Sequence, residues 1–158
     1  MESPFKIFVD RLKKEDRLEI HEVVSPDFLD VHEEDLSFQN KVIVDGEAYL
    51  AHDELILHLA AEAEALIACA ICNERVPTKV HLEAFYHAEP LKQIKGAVFD
   101  YQELLRESIL LETPEFVECE GKCPKRKNLK KYLKSEESSL EKTSDAEGYK
   151  PFSDLELN

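Results

Sequence analysis

A chain of 158 residues that is 43% hydrophobic is about one domain's worth of protein, long enough to bury a core without staples. Its 34 acids against 20 Lys and Arg leave a formal net charge of -14, which on average repels a phosphate backbone and favours basic proteins as macromolecular partners. No apolar run approaches about 18 residues, and the first ten residues are interrupted by charge, so neither a membrane span nor a secretory signal is expected. The expected location is cytoplasmic, where a reducing environment disfavours structural disulfides.

In chain order, Phe5, Ile7 and Val9 mark an extended apolar start, followed by a charged turn over residues 13–16. Residues 18–24 then alternate Leu18 and Ile20 with Glu19 and His21, the pattern of a half-buried strand, until Ser25-Pro26 breaks it. Residues 27–36 are acidic and turn-like, with one helical turn around Phe28 and Leu29. Residues 42–50 read as a strand with Gly46 inside it, a site for a bulge or bend.

The next segment sets two signals against each other. Residues 60–66 are rich in Ala, Glu and Leu, which favour a helix, yet their hydrophobicity has a period of two. Leu55, Leu57, Leu59, Ala61, Ala63, Ala65 and Ile67 fall on one face, with Glu54, His58, Glu62 and Glu64 on the other. A helix would separate Glu62 from Glu64 by about 200°, so the alternation predicts a strand that pairs with residues 42–50 as an antiparallel hairpin. It runs into Cys69-Ala-Ile-Cys72, and Asn73-Glu-Arg turns the chain into a further strand over 76–87. There Val80, Leu82, Ala84 and Tyr86 alternate with His81, Glu83, Phe85 and His87.

After a loop over 90–98, Asp100 reads as a helix cap with Glu103 reaching back, and Phe99 and Leu104 take the staple positions. The helix should end near Glu112, because Thr113 precedes Pro114 and is pushed toward extended geometry. Tyr101, Leu104, Leu105, Ile109 and Leu111 form its expected apolar face. Phe116 and Val117 extend toward Cys119-Glu-Gly-Lys-Cys123, and Pro124 opens a short basic helix with Leu129, Tyr132 and Leu133 on one side. Residues 135–148 are polar and read as a disordered linker, and residues 149–155 as a small terminal anchor. The expectation is an α+β fold: a mainly antiparallel sheet, open or curled toward a barrel, with one packed amphipathic helix, a short basic helix and a disordered acidic C-terminal linker. Residues 1–134 would be the domain and 135–158 the tail.

All four thiols lie in two short pairs, Cys69/Cys72 and Cys119/Cys123, separated by two and three residues. Such spacings let one turn offer two sulfurs, and two such pairs suit a tetrahedral structural zinc site. Two other readings stand beside it: four ordinary reduced cysteines packed as small hydrophobes, and a redox pair at Cys69 and Cys72. The redox reading is the weaker, because no helix evidently opens at Cys69 to depress a thiol pKa. His81 and His87 could substitute as ligands, although a histidine on the polar face of a strand is more often solvated. Against the acidic background, residues 122–134 carry Lys122, Lys125, Arg126, Lys127, Lys130, Lys131 and Lys134 with no acid, the candidate RNA or phosphate contact. The same run is also explained as a solvated helix face. Enzyme motifs are missing: no glycine-rich phosphate loop, G-x-S-x-G or H-E-x-x-H occurs. Neither a small-molecule substrate nor a membrane partner is expected.

The order of these features resembles the YceD-type large-ribosomal-RNA-subunit accumulation proteins, a bacterial family with plastid relatives. The resemblance rests on Cys69-Ala-Ile-Cys72 followed by Val76, on the aspartate-led helix with Glu107-Ser-Ile-Leu-Leu111 and Pro114, and on Cys119-Glu-Gly-Lys-Cys123-Pro-Lys with Asn128-Leu129. It continues to Pro151-Phe152-Ser-Asp-Leu155. Many members extend the distal cysteine segment with a further C-x-x-C-G; here Arg126 and Lys127 stand about where a cysteine and a glycine would be. That departure points to one site built from Cys69, Cys72, Cys119 and Cys123, and leaves open that an ancestral site has lost its metal. The resemblance implies a non-enzymatic ribosome-biogenesis factor whose partner is a ribosomal protein or a large-subunit assembly intermediate. A thiol redox protein and a generic zinc-stabilised interaction module are the competing functions.

Overall fold

Side chains on a strand alternate between two faces, so a long period-two run buries one face over its whole length. The computed structural model, which describes residues 3–129, places such a run at the centre of the molecule. In chain order the elements are β1 (Lys6–Phe8), α1 (Val9–Leu12), β2 (Leu18–Val24), β3 (Leu36–Phe38), β4 (Val42–Ala51), β5 (Glu54–Ala68), β6 (Arg75–Pro90), β7 (Val98–Asp100) and α2 (Gln102–Glu112). Short 3-10 turns intervene, among them Pro26–Leu29 and Cys119–Gly121. The chain divides into one compact unit, Met1–Cys123, and a second, Pro124–Asn158. Of the second, the described part is the 3-10 segment Pro124–Leu129, where the sequence suggested an ordinary basic helix. The expected linker over 135–148 and the anchor over 149–155 lie outside the described residues.

The fold is α+β and mainly antiparallel. Strand β5 is a strand throughout its 15 residues, so its alternation overrides its helical composition. One edge of β5 pairs first with β4 and then with β3, the other with β6, and β2 pairs with the far side of β4. Among the described residues this sheet is open rather than closed into a barrel, and β1 pairs separately with β7. Its inner face carries Ile20, Val24, Val42, Val44 and the β5 row from Leu55 to Ile67, buried beneath Phe5, Ile7, Leu29, Tyr101, Leu105 and Ile109. Tyr101 is buried with its hydroxyl donating to the Pro4 carbonyl at 3.2 Å, which keeps its polar end satisfied.

Several local expectations are corrected. The extended start ends at Phe8, with Val9 opening a single helical turn, α1, before the charged turn, and the acidic stretch is followed by a short strand, β3. In β6 the alternation breaks: Leu59 pairs with Phe85 but Ala61 pairs with Leu82, so β6 carries one extra residue opposite Ala60. Such a bulge flips every later side chain to the other face. Phe85 therefore packs against the core while Tyr86 is 58% exposed, the reverse of the simple alternation. Gly46 lies beside this level, paired with Leu59, and its role is close approach: an added Cβ would lie 2.1 Å from the His58 carbonyl oxygen. In α2 the cap position is Tyr101 and not Asp100, which ends β7 and whose Oδ1 accepts from the first helical N–H, that of Gln102, at 2.9 Å; Glu103 pairs forward with Arg106 at 3.7 Å. Leu111 is 86% exposed, because it falls about 200° from Ile109 on the stripe of Tyr101, Leu105 and Ile109.

Candidate metal centre

Strand β5 ends at Ala68, and the chain must reverse within a few residues to begin β6 at Arg75. The reversal is held by backbone bonds: the Cys69 N–H donates to the Glu74 carbonyl at 2.7 Å and the Asn73 N–H to the Cys69 carbonyl at 2.9 Å. Asn73 takes a left-handed φ of 65°, which its short polar side chain tolerates better than most. Cys69 and Cys72 thus sit at the tip of the long hairpin. The segment after α2 comes alongside as a short parallel bridge between Cys69 and Val117, with the Ala70 N–H donating to the Val117 carbonyl at 2.9 Å. From there Glu120 and Gly121, at φ of 54° and 77°, turn the chain back so that Cys123 follows Cys119 into the same place.

All four sulfurs lie within 4.8 Å of one another, and none is in a disulfide. Cys69 and Cys123 are buried and Cys72 and Cys119 half-buried. Cys72 Sγ approaches Cys119 Sγ to 3.2 Å. A cation that holds four sulfurs at about 2.3 Å in a tetrahedron needs them roughly 3.8 Å apart, a separation that these two distances bracket. The cluster is therefore sized for a tetrahedral metal, and its donor set of four soft sulfurs fits the same group.

Electrostatics agree with that chemistry. Burial by itself would push the Cys69 thiol up, but the backbone N–H groups of Cys72, Ile71 and Cys119, with the Cys119 thiol, outweigh it and bring the pKa down to about 6. The Ile71 N–H reaches the Cys69 sulfur at 3.4 Å. Cys119 is held above the usual thiol range, first by its hydrogen bond to Cys72, then by burial and its hydrogen bond to Cys69, and last by repulsion from those two sulfurs. A bound cation would reverse that repulsion and draw the remaining thiols to thiolates.

Two glutamates beside the cysteines, not singled out in the sequence, support the loops. Glu118 Oε2 accepts from the Cys123 N–H at 3.1 Å, and Glu74 Oε2 lies 3.8 Å from the Cys119 sulfur. Their signal was adjacency alone, one residue before Cys119 and two after Cys72, in a chain where acids are too abundant for adjacency to stand out. The two histidines considered as substitutes lie elsewhere: His81 pairs with Glu62 at 3.6 Å and His87 with Glu89 at 2.8 Å. Of the basic run, Lys122, Lys125, Arg126 and Lys127 are exposed, while Lys130, Lys131 and Lys134 lie outside the described residues. No helix among the described residues is long and apolar enough to cross a membrane. Comparison of the chain with known protein families, curated proteins and solved structures gives no match.

Proposed function

We propose that this protein is a non-enzymatic ribosome-biogenesis factor that supports accumulation of large-subunit ribosomal RNA, acting as an acidic adaptor for a basic ribosomal protein, with its cysteine cluster held by a structural zinc ion. The observation that carries the proposal is the convergence of Cys69, Cys72, Cys119 and Cys123 into one cluster, the single site to which the departure from the YceD-type pattern at Arg126 and Lys127 pointed. All four positions are filled by sulfur, whereas catalytic zinc sites keep a position open for water or substrate. In this role zinc contributes folding energy and fixes the end of the sheet. The net charge of -14 suits attraction to a basic protein, and complementary charge of this kind sets encounter rate and register more than affinity. Lys122, Lys125, Arg126 and Lys127 are the described residues that would touch RNA, at a sign of charge opposite to the rest of the chain.

Depletion of the protein in its native cell should leave a deficit of large subunits in sucrose-gradient profiles, and a normal profile would sink the proposal. Metal analysis after reducing, chelator-free purification should return close to one zinc per chain. Absence of zinc together with disulfide-exchange turnover would instead assign Cys69 and Cys72 a redox function.

A further inference from the structure

The outer face of the sheet, opposite the core, is shaped and charged in a way that the cysteine site does not explain. A shallow trough of about 640 Å³ crosses β2, β4, β5 and β6. Gly46, Ala60 and Ala84 contribute to its floor, and Glu19, Asp45, Glu47, Glu83, His21 and His58 surround them. The centre stays low because Ala60 and Ala84 carry only methyl groups there. Beside the trough runs a line of rings: Tyr49 stacks with His58 at 6.0 Å and 15°, and His58 meets Tyr86 edge-on at 4.8 Å. The β6 bulge turns Tyr86 outward to complete this line.

One cation already sits at its end. The Arg17 guanidinium carbon lies 5.4 Å from the centre of the Tyr49 ring, and its Nη1 donates to Glu47 Oε2 at 2.7 Å. The chain thereby displays, with its own residue, what this surface accepts: a guanidinium with a ring beneath it and a carboxylate at its edge. A planar, weakly hydrated guanidinium gains from both contacts together, and a compact, strongly hydrated ammonium gains less. Tyr86 and Glu83, on the far side of His58, supply the same two groups again.

We infer that the trough is a docking surface for an arginine-rich segment of a partner protein, whose guanidinium groups stack on His58 and Tyr86 and pair with Glu19 and Glu83, beside the Tyr49–Glu47 place that Arg17 fills. Charge complementarity selects this occupant: the trough is rimmed by carboxylates, which attract guanidinium and repel phosphate. The inference rests on the acidic-adaptor part of the proposed function and not on its ribosomal part.

The test titrates the full chain with nona-arginine and nona-lysine at physiological salt, followed by fluorescence anisotropy and by NMR shift mapping. Nona-arginine should bind more tightly than nona-lysine, with the largest shifts at Tyr49, His58 and Tyr86. Tyr86→Ala, at an exposed ring outside the core, should weaken nona-arginine about tenfold and nona-lysine much less, and Tyr86→Phe, which keeps the ring, should restore most of the affinity. Equal affinity for the two peptides, equal loss of both in Tyr86→Ala, or shifts centred on residues 30–35 would overturn the assignment. Large subunits that accumulate normally without the protein would overturn the ribosomal reading and leave the trough standing.

Discussion

Single residues in this molecule are decided by what lies within a few ångströms of them. Gly46 is the sharpest case, since the atom its missing Cβ would meet is a backbone carbonyl at 2.1 Å that cannot swing aside. Gly46→Ala should therefore cost about 3 kcal/mol in urea unfolding, at the upper end of what overpacking produces, because β4 and β5 must separate. A cost under about 0.5 kcal/mol would mean that the pair opens freely. His21 illustrates a weaker and more conditional contact: its ring is hydrogen-bonded to Asp45 on the exposed face, and that bond, followed by the Asp45 charge, raises its pKa above 6.5. A raised histidine pKa contributes fully below the unfolded value and is lost as pH rises through the folded value. NMR titration of His21 should thus show a midpoint above that of an unfolded histidine, and Asp45→Asn should bring it back. A midpoint indifferent to that substitution would remove Asp45 as the cause.

At the scale of elements, legibility followed periodicity and stopped where the period was interrupted. The β5 strand could be read because its buried row, from Leu55 to Ile67, continues for six full alternations. The β2 strand was legible with the same bounds for the same reason. The second half of β6 was not, because one extra residue opposite Ala60 leaves no mark in composition yet exchanges Phe85 for Tyr86 on the buried face. Short pieces such as α1 and β3 were missed because three or four residues are too few to show a period. In α2 the length and the buried pair Leu105 and Ile109 were readable, while Leu111 was placed on the apolar face although two helical steps set it about 200° from Ile109. This difference is measurable: Ile109→Ala should cost about 2–4 kcal/mol and Leu111→Ala less than about 0.5 kcal/mol in denaturant unfolding. Comparable costs at the two positions would mean that Leu111 is covered in solution.

For the whole molecule, the cysteine pairs were legible as pairs, but their meeting depended on a path that no local pattern records. Cys72 and Cys119 are 47 positions apart, and β6, β7 and α2 must all be in place before their sulfurs come to 3.2 Å. What the site joins follows from its position: on one side the tip of the β5–β6 hairpin, on the other the segment carrying Val117 to Cys123, which contributes Val117 to the edge of the core. The main core draws on β2, β4, β5, β6 and α2 and does not pass through the cysteines. Metal removal should therefore loosen one end of the domain before it unfolds the rest, as local opening does where few apolar contacts hold a segment. With a zinc chelator under reducing conditions, hydrogen exchange should accelerate first at the Ala70 N–H, which is bonded to Val117, and at the Cys123 N–H, which is bonded to Glu118. Amides along the β4–β5 ladder, such as those around Val44 and Leu57, should keep most of their protection. Uniform loss of protection across that ladder would show instead that the cluster supports the entire fold, and unchanged exchange at Ala70 and Cys123 would show that it binds no metal that matters to stability.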